Sequence, residues 1–434
     1  MFEKIYNFLN GEGAERVCTD ITEDACEQVP ENFFLSILSS VFSKLGDTLS
    51  NPKTVLTWLM TYVHAPVYLI SLIVPIRESG SMIPQIALAK HLNKRPVKKW
   101  FWVVGAVLQF LAIAAVGLIG MSFKGVLAGW LIILAIVLYS LARSISSLTS
   151  KDVMGKTIPK TRRGRLNGYT VAVSGILVLL AGLFIMYKSK RTDSVTFYSG
   201  IVFFASATWL IAALIYSRIK EFPSDPVAGS DKKNGVISRL RLLKTDTKFR
   251  NFVIARSLLL CSGLTAPYYV LLAQKYVGNT SYLLGLFIIS NGIADIISAP
   301  IWGKQADKSS KNVMTTSVLI AASLGILTFF IISYFDMVRT MGWIYPVAFF
   351  ILGIAHGGVR LGRKTYVVDM GTGSDRTDYV SVSNSLIGII LLFTGGLSAL
   401  ISLFSIQGVI LFLSLFGLLG AYRSYHLPNV EKED

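Results

Sequence analysis

Charged residues are scarce in this sequence. Asp, Glu, Lys and Arg make up 15% of its 434 residues, whereas hydrophobic residues make up 53%. About 25% of the residues in an ordinary soluble domain are charged, so this chain is too apolar to be a soluble protein of its length. A membrane-spanning helix needs about 20 mainly apolar residues, and the apolar segments predict about twelve such helices joined by short loops. The composition therefore predicts an all-α integral membrane protein.

Several chemical motifs are also missing. The sequence has no recognisable P-loop, metal-ligand cluster or nucleophile motif, so we expect no ATP hydrolysis, no other enzymatic activity and no cofactor. The spacing of Cys18, Cys26 and Cys261 matches neither a disulfide framework nor a zinc site, so unpaired thiols are expected. Residues 1–31 are acidic and lack a long apolar run, which argues against a secretory signal peptide.

Acidic residues are outnumbered by basic ones. The chain has 25 Asp and Glu against 42 Lys and Arg, which gives a net charge of +17. Most of the excess lies in alternate loops between the apolar segments, and short cationic loops stay cytoplasmic and contact anionic lipids. The pattern predicts membrane lipids rather than nucleic acid as partners, cytoplasmic N- and C-termini, and a plasma membrane, with a bacterial inner membrane as the expected case.

A repeated pair of charges indicates two similar halves. Arg143 and Asp152 lie nine positions apart where an apolar run meets a polar loop, and Arg360 and Asp369 repeat this separation. We predict an acidic cytoplasmic tail, a six-helix bundle, a basic cytoplasmic linker, a second six-helix bundle and a C-terminal tail, at residues 1–31, 32–217, 218–250, 251–425 and 426–434. The predicted spans cover residues 33–58, 66–90, 100–123, 126–150, 168–186, 195–216, 252–274, 282–303, 313–335, 343–364, 379–403 and 407–422.

The first predicted span carries polar residues on one face. Ser40, Lys44, Asp47 and Asn51 follow the helical spacing i, i+4, i+7, i+11. A charge inside a bilayer costs about 3 kcal/mol or more unless it meets a partner or water, so this face is predicted to line a cavity. Mutual neutralisation of Lys44 and Asp47, three positions apart, is the alternative.

Other charges lie inside later spans. Arg77 and Glu78 fall near the middle of the second span, and because adjacent residues on a helix point about 100° apart, each is predicted to need its own partner. Interhelical salt bridges that fix the two halves are the alternative to a pathway role. His356 could relay protons, although a packed core histidine is the commoner case. The isolated intramembrane charges of the second half are Arg256 and Asp295, and Arg360 and Arg363 share a face of the tenth span with His356.

The end of the eighth span carries a motif found in a known family. Pro300, Gly303 and Asp307, followed by basic residues, resemble the G-x-x-x-D loop motif of the major facilitator superfamily. RRGRLNG after the fourth span resembles that family's loop between spans four and five. The first-half counterpart departs from the pattern, because Ala87 replaces the glycine and His91 the aspartate. Together with about twelve spans in two halves, the resemblance covers nearly the whole chain.

The resemblance implies two six-helix bundles that rock about a central cavity, lined mainly by spans 1, 4, 7 and 10. It therefore implies a monomeric secondary active transporter, a symporter or antiporter driven by protons or another coupling ion, that moves a small organic molecule. Cationic side chains dominate the intramembrane charges, which favours an anionic substrate. A drug or lipid efflux transporter is one alternative, and a sensor or scaffold that has the fold without transport is another.

Two groups of candidate site residues follow. The candidates for the substrate or proton pathway are Lys44, Asp47, Asn51, Arg77, Glu78, Arg256, Asp295 and His356. The candidates for a cytoplasmic gate, which would close when the cavity faces outward, are Arg143, Asp152, Arg360, Asp369, Gly303 and Asp307.

Overall fold

The fold is a bundle of membrane-spanning helices. The computed structural model describes residues 21–85, 95–189, 194–223, 242–306, 308–370 and 375–430, together with residues 3, 6, 88 and 92. In this part of the chain all regular secondary structure is helical. Six spans in the first half and six in the second form the predicted all-α membrane architecture.

The spans are numbered in chain order. Spans 1–6 are Val29–Leu49 continued by Val55–Tyr62, then Val67–Met82, Lys99–Ser122, Gly125–Thr157, Lys160–Ser189 and Val195–Ser217. Spans 7–12 are Thr247–Leu258 continued by Cys261–Leu264 and Ala266–Tyr276, then Ser281–Ala306, Ser310–Tyr334, Ile344–Met370, Asp375–Ser402 and Ile406–Tyr425. By length and apolar composition, 10 helices of the described chain could cross a membrane. Spans 1 and 2 fall outside that set, and both carry charges near their middle.

Span 1 is interrupted where the sequence predicts one continuous helix. Pro52 has no backbone N–H and cannot continue the helical hydrogen bonding, so the helix stops at Leu49 and resumes at Val55. Local bonds satisfy the freed groups: Thr57 Oγ1 donates to the Pro52 carbonyl at 2.7 Å, and Asn51 Oδ1 accepts from the Lys53 amide at 2.8 Å. Irregular backbone is tolerated at membrane depth when it is buried and satisfied in this way.

Span 7 is interrupted as well, against the prediction of one helix over residues 252–274. Its first helix ends at Leu258, a single turn covers Cys261–Leu264, and the last helix starts at Ala266 with Pro267 in its first turn. Spans 1 and 7 open the two halves of the chain. The two breaks therefore occupy corresponding places in the two halves.

The two halves meet along two pairs of spans. Span 2 packs along span 11, and span 5 packs along span 8. We call the membrane face at which span 1 begins the N-face. At the opposite face the halves touch, because the Trp58 ring lies 6.5 Å from that of Phe287 and Tyr198 OH donates to the Asn279 carbonyl at 3.2 Å.

The described residues near the N-terminus pack against the first bundle. The buried ring of Tyr6 lies edge-on to Phe33 of span 1, with centroids 5.2 Å apart. Cys26 is disulfide-bonded, so the expectation of an unpaired thiol is wrong for this residue, since a single bridge has no framework spacing to recognise. Cys261 is free and buried.

Close packing of spans 5 and 8 depends on glycine. A Cβ at Gly285 would collide with Met186 Cγ and would lie 2.9 Å from the Gly182 carbonyl oxygen. We predict that Gly285→Leu forces the spans apart, costs about 1–3 kcal/mol and lowers the thermal unfolding temperature of the purified protein. Gly200→Leu is the control, because Gly200 is exposed and no heavy atom lies within 4 Å of the place a Cβ would take. Equal unfolding temperatures for the two variants would contradict this packing.

Candidate functional site

One carboxylate oxygen organises the interior of the first half. Asp47 Oδ1 on span 1 accepts from Arg77 Nη2 of span 2 at 2.9 Å, and from Tyr139 OH and Arg143 Nη1 of span 4 at 2.8 and 2.5 Å. Asp47 therefore ties three spans together. In the described chain Lys44 has no carboxylate within 4 Å, so the alternative in which Lys44 neutralises Asp47 is not the arrangement observed.

Arg77 also reaches its neighbour in sequence. Its Nη1 lies 3.2 Å from Glu78 Oε1, so the prediction that these adjacent residues cannot pair is wrong. The helix sets only the directions of the Cα–Cβ bonds, whereas the long arginine side chain carries five donors on a planar fork. One guanidinium can thus hold both carboxylates, Asp47 and Glu78.

Aromatic rings support the two arginines of this network. Arg77 lies over the Tyr139 ring at 5.5 Å, and Arg143 lies over the Trp209 ring at 5.9 Å. Cation–π contacts of this kind stabilise a guanidinium that has been removed from water. Trp209 extends the network to span 6.

Glu78 is the more exposed carboxylate of the network. Its side chain is 36% exposed, compared with 24% for Asp47. Glu78 lies within electrostatic range of Lys53, Arg143 and Arg363. It therefore faces both its own half and span 10 of the second half.

The second half contains an arginine without a countercharge. Arg256 on span 7 is 5% exposed, and its guanidinium donates to Ser383 Oγ and, at 2.8 Å, to Asn384 Oδ1, both on span 11. Its buried Nε has no hydrogen-bond partner. Arg363 lies within electrostatic range of Arg256, and in the described residues neither has a carboxylate within 4 Å. This region therefore carries an excess of positive charge that is not ion-paired.

An ion pair between spans 8 and 10 is open to solvent. Arg360 Nη2 lies 3.2 Å from Asp295 Oδ1, and the side chains are 59% and 49% exposed. Lys44 of span 1 is within electrostatic range of both, so the pair faces the space between the halves. Asp295 and Arg360 are therefore accessible to solvent, whereas Trp58 and Phe287 pack together at the opposite face.

A third polar group joins the two halves. Lys53 Nζ, in the break of span 1, lies 3.2 Å from His356 Nε2 on span 10. The other ring nitrogen, Nδ1, lies 3.1 Å from Ser262 Oγ in the break of span 7. Lys53 was not predicted from the sequence, although a lysine next to Pro52 inside a span is a detectable signal. Asn51 serves the break itself through its bond to the Lys53 amide.

Near the N-face the candidate gate residue Asp152 is paired within its own half. Its carboxylate bonds to Lys98 Nζ just before span 3. Close by, Lys156 Nζ lies 3.0 Å from Oε1 of Glu221, whose side chain is fully buried. Glu221 also accepts from the amides of Lys98 and Lys99 at 2.7–3.0 Å, so it caps span 3. Glu221 was not predicted, because it follows span 6 and meets these partners only through the fold.

The other predicted gate residues are spread over the bundle. Arg143 belongs to the Asp47 network, and Asp369 lies exposed one residue before the end of span 10. Gly303 has no heavy atom within 4 Å of the place a Cβ would take. Three residues of the loop motifs lie outside the described part of the chain: Ala87, His91 and Asp307.

The sequence matches the model of one known protein family. The model of the Major Facilitator Superfamily matches residues 36–360 and 260–433. A comparison with curated protein sequences finds no match.

Solved structures share the fold at low sequence identity. A D-xylose-proton symporter has a TM-score of 0.69 at 14% identity, and the match covers 93% of this chain and 99% of that one. A nucleoside transporter has a TM-score of 0.65 at 12% identity, covering 91% and 99%. A POT family transporter in complex with a thioalcohol conjugated peptide has a TM-score of 0.69 at 11% identity, covering 90% and 95%.

The Asp47 network generates a stability prediction. Asp47→Asn removes the carboxylate that Arg77 and Arg143 share, and breaking one side of a buried ion pair costs about 3–5 kcal/mol. We expect a clearly lower unfolding temperature, with partial recovery in the double variant Asp47→Asn, Arg143→Gln. Asp336→Asn is the control, because its pair with Arg339 is an exposed i, i+3 contact and contributes less than about 1 kcal/mol. Unchanged unfolding of Asp47→Asn would contradict the role assigned to this network.

Proposed function

Because the chain belongs to the Major Facilitator Superfamily, we propose that it is a proton-coupled secondary active transporter that moves a small organic anion by alternating access. The observation that carries the choice of an anion is the positive charge of Arg256 and Arg363, neither of which has a carboxylate within 4 Å in the described residues. The proposed site is the space between the two halves.

Cations outnumber carboxylates in this space. In the described residues, Lys44, Lys53, Arg256 and Arg363 have no carboxylate within 4 Å, whereas Asp47, Glu78 and Asp295 are each paired with an arginine. A buried cation without a partner is costly, and a bound anion would remove that cost. Arginine holds carboxylate and phosphate groups through two parallel hydrogen bonds, so these are the proposed anionic groups.

Among the three carboxylates, Glu78 is the proposed proton carrier. Asp47 already accepts three hydrogen bonds, from Arg77, Tyr139 and Arg143. Asp295 is paired with Arg360. Glu78 receives a single bond at 3.2 Å from Arg77 and is partly exposed to the cavity, so a proton can reach its second oxygen. The similar structure described as a D-xylose-proton symporter supports proton coupling as compatible with this fold.

The direction of opening supports alternating access. Trp58 and Phe287 close the opposite face, while the exposed Asp295–Arg360 pair supports access from the N-face. We assign the N-face to the cytoplasm of a plasma membrane, such as a bacterial inner membrane, since the basic loops lie there. In the proposed cycle, Arg143, Asp152, Arg360 and Asp369 act in the cytoplasmic gate, and Asp152 exchanges its present partner, Lys98, when the gate closes.

Anion binding can be tested on the purified protein by thermal unfolding. Inorganic phosphate or succinate should stabilise it saturably, by about 2.7 kcal/mol at 100 times the dissociation constant, whereas the lipophilic cation tetraphenylphosphonium should not. Arg256→Gln and Arg363→Gln should abolish the effect, and Arg256→Gln should leave the unliganded protein at least as stable, because it removes an unpaired buried charge.

Arg339→Gln is the matched control, because Arg339 pairs with Asp336 outside the spans. Stabilisation by phosphate alone or by succinate alone would identify the anionic group. Stabilisation by tetraphenylphosphonium and by neither anion would contradict an anionic substrate and favour drug or lipid efflux.

Proton coupling can be tested in proteoliposomes with an imposed pH gradient. Glu78→Gln should abolish gradient-driven uptake of the anion that stabilises the protein, while sparing its binding, because glutamine keeps the shape but cannot carry the proton. Glu31→Gln is the control, since Glu31 lies at the start of span 1 and pairs with Lys220. Gradient-driven uptake that is unchanged in Glu78→Gln would refute the assignment.

A further inference from the structure

The Lys53–His356 contact joins the two halves at their breaks. Lys53 lies in the break of span 1, and Ser262 and Gly263 lie in the break of span 7. The His356 ring fits between them: a Cβ at Gly263 would lie 2.9 Å from its Cε1 atom. Both ring nitrogens are engaged, Nε2 with Lys53 at 3.2 Å and Nδ1 with Ser262 at 3.1 Å.

Donor and acceptor roles along this chain are fixed by chemistry. With Lys53 as an ammonium group, which can only donate, His356 Nε2 accepts. The ring proton then lies on Nδ1, where it can be donated to Ser262 Oγ. Ser262 Oγ in turn donates to the Leu259 carbonyl at 3.1 Å. Each group therefore donates to the next, from Lys53 on span 1 through His356 to Ser262 on span 7. This order requires a neutral imidazole.

A second proton is incompatible with this arrangement. A protonated imidazole donates from both nitrogens, so its Nε2–H would face an ammonium group that cannot accept. Two positive charges would also lie side by side in a region of low dielectric. Protonation of His356 and the Lys53–His356 hydrogen bond therefore exclude each other.

The surrounding charges do not relieve this conflict. In the described residues, neither Lys53 nor His356 has a carboxylate within 4 Å. The charged groups that face Lys53 at longer range are Glu78, Arg77, Arg360 and Asp295. Those that face His356 are Lys53, Arg360 and Arg363. All three of these groups around the imidazole are cations, and they add to the repulsion of a second proton on the ring.

The contact lies next to the helix that closes the opposite face. Lys53 lies two residues before the helix Val55–Tyr62, which packs against Ala266–Tyr276 of span 7 and carries Trp58 to Phe287. Movement of Lys53 away from His356 would be transmitted directly to this closing helix.

We propose that His356 is a proton-binding site whose occupation breaks the Lys53–His356 bond and releases the opposite face of the protein. This inference rests on the proposed transport function, since the release matters only if the halves move. His356 sets which face is open, whereas Glu78 carries the coupled proton. Lys53 is a positioning residue that converts the charge on His356 into separation of the halves.

Distances across the opposite face test the proposal. Spin labels at Lys124→Cys and Thr340→Cys, exposed loop positions of the two halves, report the separation by pulsed electron paramagnetic resonance in lipid nanodiscs. Cys261 is buried and Cys26 is disulfide-bonded, and the protein without the two introduced cysteines, which also contains Cys18, is the labelling control. When the pH is lowered from 8 to 5, the ratio of long to short distances should rise about tenfold, which is a typical factor for the coupling between two binding or conformational equilibria.

Variants distinguish the roles proposed for His356, Lys53 and Glu78. His356→Gln can still accept from Lys53 but cannot be protonated, so short distances should persist at both pH values. Lys53→Met should show long distances at both, and Lys53→Arg should restore the pH response because arginine also only donates. Glu78→Gln should keep the response.

Several outcomes would overturn the inference. A wild-type ratio that does not change with pH, or a response retained in His356→Gln, would exclude His356 as the proton-binding site. Loss of the pH response in Glu78→Gln would indicate that the Glu78 carboxylate, rather than His356, is the group that binds the proton. If His356→Gln fails to fold, the Lys53 variants decide, since a pH response retained in Lys53→Met excludes the mechanism. Each of these results leaves anion binding and uptake, measured separately, to decide the transport function.

Discussion

The oxygen Oδ1 of Asp47 is the contact on which the interior of the first half depends. Side chains from spans 2 and 4 converge on it, so spans 1, 2 and 4 share one electrostatic centre. Charges at membrane depth persist only when they meet partners or water. Since Arg77 also holds Glu78, the charges of two arginines are balanced by those of two carboxylates. Glu78 is the member of this network that is most exposed to the proposed cavity.

The two halves share an architecture but differ in charge. Each opens with a broken span, and each contributes one side of the contact between the halves. The second half lacks the balance of the first: Arg256 is held by neutral side chains of span 11, whereas Arg77 and Arg143 contact carboxylates. Arg256 and Arg363, together with Lys44 and Lys53 of the first half, have no carboxylate within 4 Å in the described residues, and these four cations give the cavity its proposed preference for anions.

Much of this architecture could be predicted from the sequence. Long apolar runs located the spans, and helical periodicity identified Asp47 as facing the interior. The break in span 1 was not predicted although residues 50–54 are polar and include Pro52, because Asp47 and Asn51 fit one face of a continuous helix. The break in span 7 was not predicted because residues 259–265 are mostly apolar. The partner of Lys53 lies 303 positions away on span 10, and Glu221 caps a helix more than 120 residues before it. Such contacts depend on tertiary structure and leave no local pattern.

In the proposed function, the protein carries an anion across the membrane by opening the space between its halves alternately to each side. Counterflow in proteoliposomes tests it most directly: vesicles loaded with the unlabelled stabilising anion are diluted into a trace of the labelled form, with no pH gradient. We predict transient accumulation of label inside vesicles that contain the protein, and none in empty vesicles. Label that binds the protein without transient accumulation would contradict the claim and would indicate a sensor or scaffold with this fold.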